Sequence, residues 1–495
     1  MSQNKYRSVF LPFMILVFVL FISDLCLAQK LLSFEETMNI ARTNSPDILQ
    51  AKLNLERSQE SLKAQNASLK SQFRLTVEPF RFDRAREFSP FFSTWNTSET
   101  KQSSGLFSIT QPIIWTDGTL SLMDQITWRD SYSEFQDTRT KTYSNNLYLS
   151  YQQPIFTFNR TKLELREVEL DLENSLLSYR MQGLRLEQQV AGSFYSAFQR
   201  KMSLQVSKEE YANTEQTFQI TKNKVDAGLE RKEELYQQEL NLTSSKSNIQ
   251  NDQVQLENAL DELKQLIGLP LFDDIDIVAE TSQESIEADL EIAINYGLKN
   301  RMELRQRNIN IETSKANLIR AAATNEFKGN INLSYGFIGN DEKFENIYDK
   351  PTENQQVNLS LEIPIWDWGE SEARTKAAEA SVSSSRMSLE EEKNNIIIGI
   401  RKAFRNLQNQ EIQIDIARQN VNMAQLTYDI NLERYKNGDL TSMDLNQFQN
   451  QLSQKKIGLV NALINYKIAL LDLKIQSLWD FERNESVLKD LDKYN

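Results

Sequence analysis

The chain contains the same pattern twice, and this internal repeat restricts the folds open to it. Pro154 of Gln-Pro-Ile-Phe has a counterpart 210 residues later, Pro364 of Ile-Pro-Ile-Trp. Closer to the N-terminus the offset becomes 256, as between Asn44 and Asn300. The first copy therefore holds 46 residues more than the second, between about 75 and 154. We expect one supersecondary unit to occur twice.

Long helices are predicted to fill most of each copy. The chain has only 14 Gly and 9 Pro in 495 residues, and no proline follows Pro364. Apolar residues from Leu172 to Val190 recur at alternating spacings of four and three, which is a coiled-coil seam. The two longest predicted helices, 160–225 and 370–436, would each be about 100 Å long. Four shorter helices are predicted at 34–70, 230–267, 285–323 and 441–478. In each copy the two shorter helices, placed end to end, would lie against the long helix and roughly match its length.

Amphipathic strands are predicted at matching places in both copies. Residues 331–337, for example, alternate Ile, Leu, Tyr and Phe with Asn, Ser and Gly, so one face is apolar and the other polar. Four strands are predicted, at 73–82, 145–153, 330–338 and 356–363, and residues 84–144 are predicted to form an extra hairpin or a long outer loop. A soluble sandwich is the alternative, but the sequence offers no second sheet to cover the apolar face.

These strands are too few to close a membrane barrel in one chain. A barrel needs at least eight strands, and three chains of four would supply twelve. The predicted fold class is therefore mainly α with a membrane β-barrel, built on a duplicated helical-hairpin repeat.

The N-terminus has the features of a signal peptide at residues 1–28. Lys5 and Arg7 precede an apolar run of 14 residues, from 9 to 22, which is shorter than the roughly 20 that a spanning helix needs. Export is therefore expected, and an uncleaved anchor is the alternative. The remaining chain divides into a first repeat at 29–269, a linker at 270–284, a second repeat at 285–478 and a polar tail at 479–495.

Composition excludes many kinds of active site. The chain has no histidine and a single cysteine, Cys26, which lies in the predicted signal peptide. Histidine-dependent triads and Cys or His metal sites are therefore absent. A net charge of −13 argues against nucleic acid as a partner. Carboxylate pairs such as Glu233 and Glu234 lie on a predicted helix, with no cofactor motif nearby, so neither enzymatic activity nor a cofactor is expected.

The order of these elements resembles the TolC-like outer-membrane efflux family. The resemblance covers residues 31 to 480 and includes three strand-to-helix joint residues, Pro154, Pro364 and Gly369. It implies a homotrimer with a barrel in outer-membrane lipid and a helical tunnel through the periplasm. It also implies passive conduction of substrates delivered by an inner-membrane transporter and a periplasmic adaptor protein. The alternative is an exported coiled-coil rod.

The resemblance implies roles for two sets of residues. The helix-hairpin tips, 226–229 and 437–440, would dock on the adaptor, and their candidate residues are Gly228, Leu229, Gly438 and Leu440. Both glycines could instead serve only to cap helices. The candidate gate of the tunnel comprises Asp444, Tyr435 and Gln447, where Gln447 stands in place of a second acid found in some relatives. The alternative for Asp444 is an ordinary solvated helix charge.

Overall fold

The computed structural model describes residues 30–91, 93–279 and 286–488. The predicted signal peptide and parts of the predicted linker and tail lie outside the described residues. The chain divides into two compact units. Of the described residues, the first unit comprises 30–53, 178–279, 286–302 and 393–488, and the second comprises 54–91, 93–177 and 303–392.

Eight helices of more than ten residues occur in the described part of the chain. They are α1 (Phe34–Asn44), α2 (Pro46–Ser68), α3 (Arg160–Asp226), α4 (Lys232–Ile267), α5 (Leu290–Asn300), α6 (Met302–Ala322), α7 (Glu370–Asn437) and α8 (Ser442–Ser477). The long helices α3 and α7 have 67 and 68 residues and lie where the sequence predicted them. Among the described residues, no helix is both long and apolar enough to cross a membrane.

Two helices predicted as continuous are each broken into two. The predicted helix 34–70 is interrupted at Ser45, where ψ is 129° and Pro46 follows. Proline disfavours the helical conformation in the residue before it, so the break has a local cause. The predicted helix 285–323 begins only at Leu290 and is interrupted at Arg301, where ψ is 125°. No proline follows there; the Arg301 side chain instead donates to the main-chain oxygen of Gln476, 3.1 Å away.

The second unit contains one antiparallel sheet of six strands. In sheet order these are β2 (Gln72–Ser89), β3 (Thr94–Ile113), β4 (Gly118–Ser133), β5 (Thr138–Ile155), β7 (Lys328–Asp341) and β8 (Thr352–Glu362). The prediction of four strands is therefore wrong in number. Of the two alternatives for residues 84–144, a hairpin forms, made of β3 and β4. The sequence signal was weak because polar residues interrupt the apolar face of this hairpin, at Lys101, Ser103, Asp124 and Asp130.

One face of the sheet is polar and the other largely apolar across all six strands. Residues paired from strand to strand form rows across the sheet, and two neighbouring rows demonstrate this alternation. One row is polar throughout: Gln72, Thr110, Ser121, Ser150, Ser334 and Gln356. The adjacent row points to the other face and is apolar up to the last strand: Phe73, Ile109, Leu122, Leu149, Tyr335 and Gln355.

The predicted duplication is visible in side-chain contacts of the second unit. Ser58 and Ser175 form a hydrogen bond between hydroxyls 2.8 Å apart. Their counterparts in the second copy, Ser314 and Ser385, form the same bond at 2.9 Å. The offsets of 256 and 210 residues that relate the two pairs are those found in the sequence.

The first unit contains two short strand pairs. β1 (Lys30–Leu32) pairs in parallel with β6 (Ile275–Ile277), which lies in the predicted linker. β9 (Trp479–Asp480) pairs with β10 (Glu485–Ser486). The segment from 479 was predicted to be a polar tail, but its described part folds because apolar side chains hold it. Val487 is buried, and the ring of Trp479 lies 4.9 Å from that of Tyr296.

Candidate functional site

Both predicted tips are tight glycine turns at the ends of the long helices. Gly228 has a φ of +72° and Gly438 a φ of +89°. In each turn the glycine and the next residue donate to carbonyls of the last helical turn, as when the Asp439 amide donates to Arg434 at 2.9 Å. This is a Schellman motif, which favours glycine because of the positive φ. The helix-capping role of both glycines is thus confirmed, whether or not the tips also dock.

The leucines that follow these glycines, by one residue at the first tip and by two at the second, differ in exposure. Leu229 is 77% exposed and so presents an apolar side chain at the first tip. Leu440 is partly buried and packs against a cluster formed by Tyr428, Tyr435, Leu445 and Leu452. The first tip therefore offers more apolar surface to a partner than the second does.

Tyr435 lies inside the protein and connects α7 to α3. Its hydroxyl is 2.5 Å from that of Thr221, and the Lys224 ammonium donates to the Tyr435 main-chain oxygen at 2.5 Å. The same ammonium lies 4.4 Å from the centre of the tyrosine ring, which is a cation–π contact. Burial raises the pKa of Tyr435, so its hydroxyl stays protonated at neutral pH. We call Tyr435, Thr221 and Lys224 the tip clasp.

Asp444 is exposed on the first turn of α8 and takes part in capping this helix. Its amide donates to the Thr441 hydroxyl at 3.2 Å, and that hydroxyl is 2.7 Å from the Asp444 carboxylate. A carboxylate in the first turn is also favoured by the helix dipole. Asp444 is therefore an exposed carboxylate that also takes part in capping α8.

Gln447 lines a polar groove between α4 and α8. The groove has a volume of about 840 Å³, and Glu233 and Glu234 of α4 line it too. Glu234 also accepts a hydrogen bond from the Ser442 hydroxyl. Asp444 and Tyr435 do not line the groove, so the three predicted gate residues occupy three different environments. Two carboxylates from α4 therefore line the same groove as Gln447.

Sequence reasoning missed three residues of this region. Glu234 lies 210 residues before Asp444, so the repeat itself could have revealed it as the counterpart of the gate candidate. Thr221 and Lys224 gave no such signal, because Thr and Lys are common on helices. Their contacts with Tyr435 join segments more than 200 residues apart and depend on packing.

The two strand-to-helix joints are capped in similar ways. Pro154 is the second-last residue of β5, and the Asn159 carboxamide then accepts from the Lys162 amide at 2.7 Å at the start of α3. After β8 and Pro364, the Asp367 carboxylate accepts from the amides of Gly369 and Ser371, each at 3.0 Å. Gly369 has a φ of +82°, which explains the glycine at this predicted joint.

Comparison with known proteins decides the family. A model described as outer membrane efflux protein matches residues 117–269 and 293–475, which is more than half of the chain. The chain belongs to the outer membrane efflux protein family. This efflux protein is therefore a channel of the outer membrane. The predictions of family, function and localisation are confirmed, as is the fold class apart from its number of strands.

Individual proteins similar to this efflux protein are distant in sequence, and the solved structures among them have a similar fold. It is 23% identical over 338 residues to nodulation protein T of Rhizobium leguminosarum bv. trifolii, covering 66% of this chain and 70% of the relative. The Campylobacter jejuni CmeC outer membrane channel is 15% identical with a TM-score of 0.69, covering 93% of this chain and 89% of that one. VceC from Vibrio cholerae is 13% identical with a TM-score of 0.66, covering 90% and 95%.

The position of Asp444 leads to a prediction for ion selectivity. If three copies of Asp444 face one pore, their mutual repulsion is relieved by a bound cation. Asp444→Asn should then reduce cation selectivity and weaken block by multivalent cations. Asparagine still accepts a hydrogen bond from Thr441, so the expected loss of stability is about 0.5 kcal/mol.

Gln447→Asp should act in the opposite direction, because it adds a carboxylate to the groove that Glu233 and Glu234 line. Reversal potentials in a salt gradient, recorded from single channels in planar bilayers, would measure both effects. Unchanged selectivity in both variants would leave Asp444 with its capping role alone.

Proposed function

We propose that this efflux protein works as a homotrimer in a tripartite exporter. Three copies would close a barrel in outer-membrane lipid, and their helices would form a conduit through the periplasm. Substrates would be delivered by an inner-membrane transporter through a periplasmic adaptor that docks on the two tips. The tip clasp and the acidic residues near it would hold the periplasmic end closed until docking.

One observation carries the membrane part of this proposal. The apolar face of the sheet is uncovered over much of its area; Val357, for example, is 78% exposed and Phe73 is 68% exposed. A soluble protein rarely leaves so large a contiguous apolar surface in water. Lipid on the apolar face and water on the polar face satisfy both sides of the sheet. The alternative, an exported coiled-coil rod, does not explain a sheet with one exposed apolar face and one polar face.

Membrane extraction and particle mass test the assembly. The protein should fractionate with outer membranes, need detergent for extraction, and have the mass of three chains by light scattering once the detergent mass is subtracted. A stable monomer in detergent-free buffer would contradict the proposal.

The proposed docking role of the tips leads to a further prediction. Gly438→Val should abolish efflux, because a β-branched residue strongly disfavours a φ of +89° and the second tip would change shape. Nothing lies within 4 Å of the position that a Cβ would occupy, so the core is not disturbed and trimer yield should stay normal. Transport and adaptor crosslinking would be measured together.

Gly192→Val provides the matched control. Gly192 lies inside α3 and also has nothing within 4 Å of a Cβ, but it has no positive φ. This variant should retain transport. Full transport by the Gly438 variant with normal crosslinking would show that the second tip does not dock.

A further inference from the structure

We propose that each copy contributes six strands to the outer-membrane barrel, with β2 of one copy pairing with β8 of the next. The inference rests on the proposed trimer and changes its wall from the predicted twelve strands to eighteen. Four observations support it: the faces of the inserted hairpin, the anchoring of its turn, the free edges of the sheet, and the distribution of charge along the strands.

The inserted hairpin β3–β4 has the same two faces as the rest of the sheet. On β3, Ser108 lies opposite Arg74 and Met123 on the polar face, whereas Phe107 lies on the face of Leu75. The polar row described above passes through both β3 and β4 without interruption. In a loop outside the barrel, the polarity of the two faces would not be expected to match that of the neighbouring strands.

The turn that joins β3 to β4 is held at the start of α3. The Asp117 carboxylate accepts from the Thr161 amide at 2.9 Å and from its hydroxyl at 2.6 Å. The Asn159 side chain donates to the main-chain oxygen of Ile114 at 2.6 Å, and Gln153 donates to that of Thr116 at the same distance. The turn is thus fixed at the level of the strand-to-helix joint, so both strands run the full height of the wall.

The two outermost strands lack a partner on one side. β2 pairs only with β3, and β8 pairs only with β7, within the described residues. Backbone groups on an open edge cannot be left unpaired in lipid, because no water is present to bind them. All neighbours in the sheet are antiparallel, so in a six-stranded sheet β2 and β8 run in opposite directions. The β8 edge of one copy and the β2 edge of the next can therefore continue the antiparallel pattern.

Charged residues are more frequent in the part of the sheet that extends beyond the proposed wall than in the wall itself, whose apolar face carries Asp124 and Glu353. A bulge interrupts the pairing of β2 and β3 between Glu78 and Arg81. Past this bulge only β2 to β5 continue, and they carry many charged residues: Asp83, Arg84, Arg86, Glu99, Asp130 and Arg139. Before the bulge all six strands are present, and the shortest, β8, has 11 residues. This length matches the 9–11 residues of a tilted strand that crosses a membrane.

Eighteen strands make a wider barrel than twelve. Barrel diameter grows roughly linearly with strand number, so the lumen in the membrane would be about 1.5 times as wide. The outer-membrane part of the channel would then accept bulkier cargo than a twelve-stranded barrel of the same family.

Single cysteines on adjacent residues test whether β3 is part of the wall. On a Cys26→Ser background the chain has no other cysteine. Phe107→Cys and Ser108→Cys probe the two faces of β3, and Leu359→Cys and Ser360→Cys are controls on β8. The trimer would be reconstituted in vesicles and exposed to a water-soluble maleimide. Ser108→Cys should react like Ser360→Cys, and Phe107→Cys at least about tenfold more slowly, like Leu359→Cys, because lipid excludes water from that face.

The outcomes separate this inference from the proposed function. If Leu359 and Ser360 differ in reactivity but Phe107 and Ser108 react equally, the hairpin lies outside the wall and the six-strand proposal is wrong, while the channel stands. If the two β8 controls also react equally, the proposal that this sheet lies in the membrane is wrong.

Cross-linking tests the pairing between copies. Val77→Cys on β2 would be combined in turn with Val357→Cys, Leu359→Cys or Leu361→Cys on β8, all on the apolar face, and treated with a short bifunctional maleimide. At least one combination should give covalent trimers on a denaturing gel. The absence of cross-linked chains in all three would rule out the β2-to-β8 contact.

Discussion

Gly268→Ala should strongly destabilise the first unit. Gly268 ends α4 with a φ of +74°, and a Cβ built there would lie 2.2 Å from the main-chain oxygen of Asn44 and 2.7 Å from its carbonyl carbon. Backbone atoms cannot move aside as a flexible side chain can, so α4 and the end of α1 must separate. We expect a loss of about 3 kcal/mol or more, from backbone strain and overpacking together.

A second glycine distinguishes the cost of backbone strain from the cost of steric overlap. Gly228 has nearly the same φ, +72°, but has nothing within 4 Å of a Cβ. Gly228→Ala should therefore cost only about 1 kcal/mol, which is the conformational penalty alone. Thermal unfolding of the detergent-extracted protein, together with the yield of assembled trimer, would compare the two. Equal losses in both variants would contradict the close contact with Asn44.

Removing the tip clasp should open the channel. Thr221→Val with Lys224→Met deletes the hydroxyl partner of Tyr435 and the ammonium that binds both its ring and its main-chain oxygen. Together these contacts are worth about 2 kcal/mol, which corresponds to roughly a thirtyfold change in the ratio of open to closed channels. The open probability of single channels in planar bilayers would measure the effect.

Lys222→Met is the control for charge, because Lys222 is exposed and lies one residue from Thr221. This variant should behave as the parent does. If the double variant has the open probability of the parent, the clasp stabilises the helices without closing the pore.

The clasp should also be insensitive to pH across the physiological range. Burial raises the pKa of Tyr435, so the stabilisation from its protonated hydroxyl is fully present below the ordinary tyrosine value of about 10. It is lost only as the pH rises through the higher folded value. The chain has no histidine to titrate nearer neutrality. Open probability should therefore be constant between about pH 6 and pH 9, and a transition near neutrality would contradict this account.

The parts of the fold that the sequence predicted correctly depend on signals that are local or repeated. The long helices follow from their spacing of apolar residues, and the tips follow from glycines at matching positions. The break at Ser45 could have been read from Pro46, but Arg301 has no comparable local signal. The sequence does not distinguish a hairpin from a loop at β3–β4, because Asp124 and similar residues interrupt the apolar face of these strands.

The candidate site was predictable only where it depends on turns. Gly228 and Gly438 were identified because only a few residue types tolerate their conformation. Tyr435 is a candidate gate residue by sequence, but the sequence does not distinguish a tyrosine that points into a pore from one that points into a core. Its contact with Thr221 joins residues 214 positions apart and is set by packing alone.

The placement of the β3–β4 turn limits how such a wall can change size in evolution. The chain enters the sheet after α2 and leaves it into α3 at the same end of the strands. The start of β2 is paired with the end of β3, and the turn after β3 is held beside the start of α3. The number of strands between these two helices must therefore be even. An insertion of one strand would place α3 on the opposite side of the membrane, whereas a hairpin leaves every helix where it was. In the proposed trimer each such insertion would be made three times, so the circumference would grow only in steps of six strands.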